Sequence, residues 1–128
     1  REKLFTTPRV LPQFADLQVV RAVQSIAGNR VPFDNWFDAL EHMKECIASK
    51  DFDVALIGAG AYGLPLGAFV KSLGKQAVHT GGVTQVLFGI IGKRWENWYP
   101  WLFNEYWIRP SEEERPLNAS RVEGGCYW

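Results

Sequence analysis

The feature that most constrains this chain is a short apolar run that breaks into a glycine loop. Asp53-Val54-Ala55-Leu56-Ile57 leads into Gly58-Ala59-Gly60-Ala61-Tyr62-Gly63, and a helical pattern follows from Leu64 to Leu73. The apolar run has the composition of a strand buried on both faces of a parallel sheet. The glycines have G-x-G-x-x-G spacing. In a strand-to-helix turn the first glycine permits a tight bend, and the second lets main chain approach a diphosphate. The third lets helix and strand pack closely, and the helix N-terminus offers free amides to an anion. A chain that needs only a close strand-to-helix turn would use the same glycines. Both readings stay open on the sequence.

The flanking segments extend the alternation. Asp34 can cap a helix, in which Trp36, Leu40, Met43 and Ile47 recur at helical spacing. That helix is expected to end near Ser49. Leu17 to Val23 is short and β-branched and reads as a strand, although Leu17, Val20 and Val23 could also line a helix. Gly74 stops the Leu64 to Leu73 helix. Gln76 to His79 reads as the next strand, Thr84 to Ile91 as a short helix, and Tyr106 to Arg109 as a late strand. Prolines at 8 and 12 make the start irregular. Pro110, Pro116 and the glutamates at 112–114 mark an exposed tail. Strand and helix in alternation predict right-handed crossovers and a parallel sheet covered by helices. The expected fold is therefore α/β: one Rossmann-like three-layer domain over 1–128, with a short, mostly parallel sheet and an aromatic-rich C-terminal segment.

Composition narrows the function classes. Fourteen Lys and Arg balance fourteen Asp and Glu, which disfavours a phosphate-backbone partner, so no nucleic acid is expected. The longest apolar stretch, Val83 to Ile91, is interrupted by Thr84, Gln85 and Gly89. It falls far short of the roughly 18 residues of a membrane span. Arg1, Lys3 and Arg9 flank no apolar signal core. Cys46 and Cys126 are too few for a disulfide framework. A cytoplasmic location fits these features. The chain begins with Arg1 and its one Met is Met43, which suits a piece of a longer protein.

The candidate binding loop is Gly58, Gly60, Tyr62 and Gly63. A dinucleotide site would place Asp or Glu about 20 residues on, but that stretch reads Val78-His79-Thr80-Gly81-Gly82. This second group should emerge at the carboxyl edge of the sheet, where ligands of open α/β sheets collect. His79 could bond a phosphate or carry a proton, or it could be a buried histidine bonded to backbone. Thr80 could cap the following helix, Gly81 and Gly82 would expose amides, and Gln85 could reach the same cleft. Lys93-Arg94-Trp95 could grip a diphosphate and stack on a base or sugar, or could simply be solvated. Trp98, Tyr99, Trp101, Phe103, Tyr106 and Trp107 could form a carbohydrate or partner platform, or could pack as a lid. Asp51-Phe52-Asp53 has the form of a metal-binding D-x-D but lies at the wrong end of its strand. His42 reads as solvated, Cys46 as packed on its helix and Cys126 as uncommitted. Asn118-Ala119-Ser120 matches a glycosylation acceptor.

Three segments together carry a family resemblance: Ala55 through the glycine loop to Gly67, Leu73-Gly-Lys-Gln-Ala-Val-His-Thr-Gly-Gly82, and Leu87-Phe-Gly89. They resemble the C-terminal half of GT-D-type bacterial glycosyltransferases and their uncharacterised relatives from polysaccharide gene clusters. The resemblance covers about a third of the chain, from Asp53 to Trp95, and Val122 to Trp128 looks like a natural end of such relatives. It implies a Rossmann-like fold and transfer of a sugar from a nucleotide-diphosphate donor to a glycan acceptor. It also implies a divalent metal (Mn or Mg) on an Asp-x-Glu motif in the N-terminal half, which has no counterpart here. An acid is expected where this chain has His79. The missing half, or another copy of the chain, would be a contact partner. Two other classes stay open: a non-catalytic nucleotide- or sugar-binding module, and a protein-interaction domain using its aromatic C-terminal surface.

Overall fold

The computed structural model describes residues 2–7 and 9–128; the irregular reading at Pro8 lies outside them. The protein is mixed α/β, with four α-helices and one two-stranded parallel sheet among the described residues. It divides into two compact units. A sheet unit comprises Ala15–Gln24 and Val31–Thr84, and an aromatic unit comprises Arg1–Phe14, Ser25–Arg30 and Gln85–Trp128.

The sheet unit is built on α1 (Trp36–Ala48), β1 (Val54–Ile57), α2 (Gly63–Ser72) and β2 (Gln76–His79). The N-cap of α1 is Asn35 rather than the expected Asp34. Its extended backbone lets the side-chain oxygen accept from the amides of Phe37 and Asp38. Two good capping residues stand side by side in the sequence, and backbone geometry chooses between them. The apolar stripe of α1 buries Ala39, Leu40, Met43 and Ile47. Their partners in the core are Ile57, Tyr62, Leu66 and Val70.

A β-α-β unit follows. Helix α2 closes in a Schellman motif: Lys75 N–H donates to the Val70 carbonyl and Gly74 N–H to that of Lys71. Gly74, at φ 75°, supplies the left-handed residue this motif needs. Strands β1 and β2 then pair in parallel, with Val54 opposite Gln76 and Ile57 opposite His79. Side chains alternate across a strand, so Ala55, Ile57 and Ala77 face the core. Small residues on both sides let α2 lie close: a Cβ on Gly67 would reach ordinary contact with Ile57 and Ala77.

The other sheet face differs from expectation. Val54 and Val78 are 46% and 47% exposed, so β1 is not buried on both faces. Helices α1 and α2 pack on one face of the strands, and the other face is partly exposed at Val54 and Val78. Leu17 to Val23 forms no strand either. Val20 and Val23 pack against the core instead, and the Val23 amide lies 3.3 Å from the Met43 sulfur. That segment has the residues for a strand but no ladder partner.

Helix α3 (Val83–Leu87) leads into the aromatic unit and is shorter than expected. Gly89, at φ 74°, ends it, with Gly89 N–H donating to the Val86 carbonyl and Ile90 N–H to that of Gln85. The expected strand at Tyr106 to Arg109 is reduced to one parallel bridge, Ile90 to Ile108. Helix α4 (Lys93–Trp98) and short 3-10 turns complete the unit. Trp107 is buried, with Phe5 and Phe103 edge-on at 5.6 and 5.0 Å. The glutamates at 112–114 are exposed as expected, but Pro116, Gly125 and Cys126 are buried. The C-terminal end is thus a packed segment rather than an exposed tail.

Candidate functional site

Register decides where the two sequence-derived turns go. Because Ile57 pairs with His79, the glycine loop after β1 and the turn after β2 leave the same end of the sheet side by side. They are in close contact. A Cβ on Gly58 would fall 2.3 Å from the Thr84 hydroxyl and 2.8 Å from the Gly81 carbonyl; one on Gly63 would fall 2.0 Å from His79 Nε2. All three distances lie far inside van der Waals contact. Gly58 is required by packing because it meets backbone at Gly81, whereas Gly63 meets the ring of an exposed side chain. Gly63 brings the His79 ring onto the first turn of α2.

Gly60 has another role. Its φ is 50° and nothing lies within 4 Å of its Cβ position. It opens a 3-10 turn, Gly60–Tyr62, in which Tyr62 N–H donates to the Ala59 carbonyl and Gly63 N–H to that of Gly60. In such a turn the leading amides, here Gly60 and Ala61, have no partner inside the helix. Gly60 and Ala61 are exposed.

The other members divide. His79 is exposed, and its ring has no hydrogen-bond partner among the described residues. The alternative of a buried, backbone-bonded histidine is therefore excluded. Thr80 does not cap α3 with its side chain: its hydroxyl lies 2.6 Å from that of Thr84 and 3.4 Å from the Ile57 carbonyl. The amides of Thr80 and Gly81 both donate to that same carbonyl, at 3.0 and 3.2 Å. Gly81 consequently offers no free amide, contrary to expectation, although at φ 54° its Cβ position is open. Gly82 is half-buried beside it. Tyr62 is 6% exposed and stacks on Trp36 at 4.9 Å with rings 4° from parallel. Its ring belongs to the core, not to the loop surface.

Gln85, Arg94 and Trp95 also come together, within the aromatic unit, but around the chain's own C-terminal segment. Trp95 is buried, and its Nε1 donates to Gln85 Oε1 at 3.3 Å. Gln85 Nε2 donates to the Tyr127 carbonyl at 3.0 Å. The Arg94 amide donates to the Cys126 carbonyl, and its guanidinium pairs with Glu123. A buried Trp95 cannot stack on a base. Lys93 is exposed.

The remaining candidates resolve simply. Asp51 pairs with Lys75 at 3.7 Å, at the opposite end of β1 from the glycine loop. His42 lies against Phe33, and its Nε2 is 3.6 Å from Cys46 Sγ. Asn118 Nδ2 donates to the Ala27 carbonyl. Trp98, Tyr99 and Trp101 are exposed, whereas Trp107 is buried, so the late aromatics divide between surface and packing roles. Two residues the sequence reading missed are Thr84, which fits against Gly58, and Glu123, which holds Arg94. Neither had a sequence signal: Thr84 meets Gly58 across two turns, and Glu123 lies 29 residues from Arg94.

Among the described residues no group of three or more His, Cys, Asp or Glu side chains gathers, and no helix is long and apolar enough to cross a membrane. No protein-family model, curated protein or solved structure matches this chain.

Proposed function

We propose that this chain is the C-terminal part of a GT-D-type bacterial glycosyltransferase, or of a relative from polysaccharide biosynthesis. It binds a nucleotide-diphosphate sugar in the cytoplasm for transfer to a glycan acceptor. The observation that carries this reading is the adjacency of the two turns: an open glycine main chain at Gly60 beside the unbonded imidazole of His79. The Gly60 and Ala61 amides would donate to phosphate oxygens, as amides ahead of a helix do. His79 would bond a phosphate oxygen through its exposed ring. The metal of the resembled family would be held by residues outside this chain. No described cluster fits it, so the contacts proposed here are made by main chain and imidazole.

The same reading treats β1-α2-β2 as one repeat of a Rossmann-like three-layer fold. The bare face at Val54 and Val78 is what a further layer would cover, supplied by an N-terminal half or another copy. Calorimetric titration with a panel of nucleotide sugars, with and without manganese, tests the proposal. Binding that disappears in Gly60→Val, with the circular dichroism spectrum unchanged, is the expected result. Failure of every nucleotide sugar to bind contradicts it. Binding without turnover by the assembled protein would indicate a non-catalytic module.

A second reading is favoured by Trp98 and Trp101, which are 56% and 76% exposed. In a protein-interaction domain these rings would meet a partner, and Gly60→Val would leave that binding unchanged.

A further inference from the structure

The Arg94 cluster has features that simple packing does not require. The guanidinium carbon lies 4.9 Å from the centre of the Tyr127 ring and 5.8 Å from those of Trp95 and Trp98. Its side chain is largely covered, and its ion-pair partner is the half-exposed carboxylate of Glu123. Aromatic rings around a guanidinium hold the cation through their π faces. They also restrict its hydrogen bonding to the N–H edge, which matches a carboxylate or a phosphate in the same forked geometry.

Glu123 occupies that edge under strain. Its φ is 48°, and Gly124 and Gly125 follow at 69° and 77°. Glycine adopts this region freely, but glutamate does so at a cost. The other contacts of the carboxylate are long: 3.4 Å from the Tyr127 hydroxyl and 3.6 Å from Cys126 Sγ. The segment's main chain is anchored separately, through the bonds from Gln85 to the Tyr127 carbonyl and from the Arg94 amide to the Cys126 carbonyl. The carboxylate can therefore leave without the segment detaching.

We infer that Arg94 and its ring of Tyr127, Trp95 and Trp98 form a binding site for a phosphate oxyanion, closed in the resting protein by Glu123 as an internal stand-in. A phosphate carries more charge than the carboxylate it displaces. The inference rests on the proposed function for its ligand class. It does not involve the glycine loop.

Calorimetric titration of the full chain with inorganic pyrophosphate tests it, using Glu123→Asn, because asparagine removes the charge and tolerates positive φ. Freed from an exposed ion pair, the site should bind pyrophosphate about fivefold more tightly than in the parent. Glu123→Gly should do the same, which covers the event that the asparagine variant folds poorly. The gain should vanish when Arg94→Gln is added and persist when Gly60→Val is added, which separates this site from the glycine loop. Affinity unchanged in both Glu123 variants, or a gain that survives loss of Arg94, overturns the inference. Acetate binding as tightly as pyrophosphate overturns the assigned ligand class.

Discussion

The turn pair of the sheet unit is made mainly of main chain, whereas the Arg94 cluster of the aromatic unit is made of side chains. In the first, two glycines are filled by neighbours and the third is open, and the imidazole beside them has no hydrogen-bond partner among the described residues. In the second, Gln85 and Arg94 are engaged by the segment from Glu123 to Tyr127, and Trp95 is engaged by Gln85. Backbone positioned by strand register leaves donors facing outward. Long polar side chains satisfy one another unless something competes.

The largest effect should come from the side-chain cluster. Trp95→Ala removes a buried indole and is expected to cost about 3–5 kcal/mol in urea unfolding. A cost below about 1 kcal/mol would mean the cluster is loosely packed, and the contrast would fail. Next is Gly58→Ala. Its new methyl meets the Thr84 side chain and the Gly81 carbonyl, which is backbone and cannot swing aside. A loss of about 1–3 kcal/mol is expected, read from the denaturation midpoint. Unchanged stability would show that the two turns are not in contact.

Gly60→Ala sharpens the comparison because no neighbour stands in its way. Only the left-handed backbone penalises it, so the loss should be about 1 kcal/mol. A larger drop would reveal that the loop is packed rather than open. Lys93→Ala should be the mildest. The residue is exposed, and stability should stay within about 0.5 kcal/mol of the parent.

Much of the sheet unit was legible because its signals are local. The stripe Leu40, Met43, Ile47 fixed α1, and β2 runs over Gln76–His79 as its residues suggest. The adjacency of loop and turn followed from β-α-β order alone, since parallel strands bring their ends to one edge. What failed was non-local. Leu17 to Val23 has strand-type residues, but pairing depends on a neighbour that local composition cannot supply. Tyr62 carries a polar tip that suited a binding loop, yet Trp36 offered its ring a stacking partner 26 residues away. The tie from Arg94 to Glu123 joins residues 29 apart through three successive positive-φ positions, and no spacing rule announces it.

The most direct test of the proposed anion contact at the glycine loop is amide NMR of the full chain during titration with pyrophosphate. The account predicts shifts at the Arg94 cluster and, within the sheet unit, a separate set concentrated at the Gly60 and Ala61 amides and the His79 ring. The Gly81 amide, held by the Ile57 carbonyl, should move little. Shifts confined to other residues, or a spectrum that stays put at the loop while pyrophosphate binds elsewhere, would contradict it.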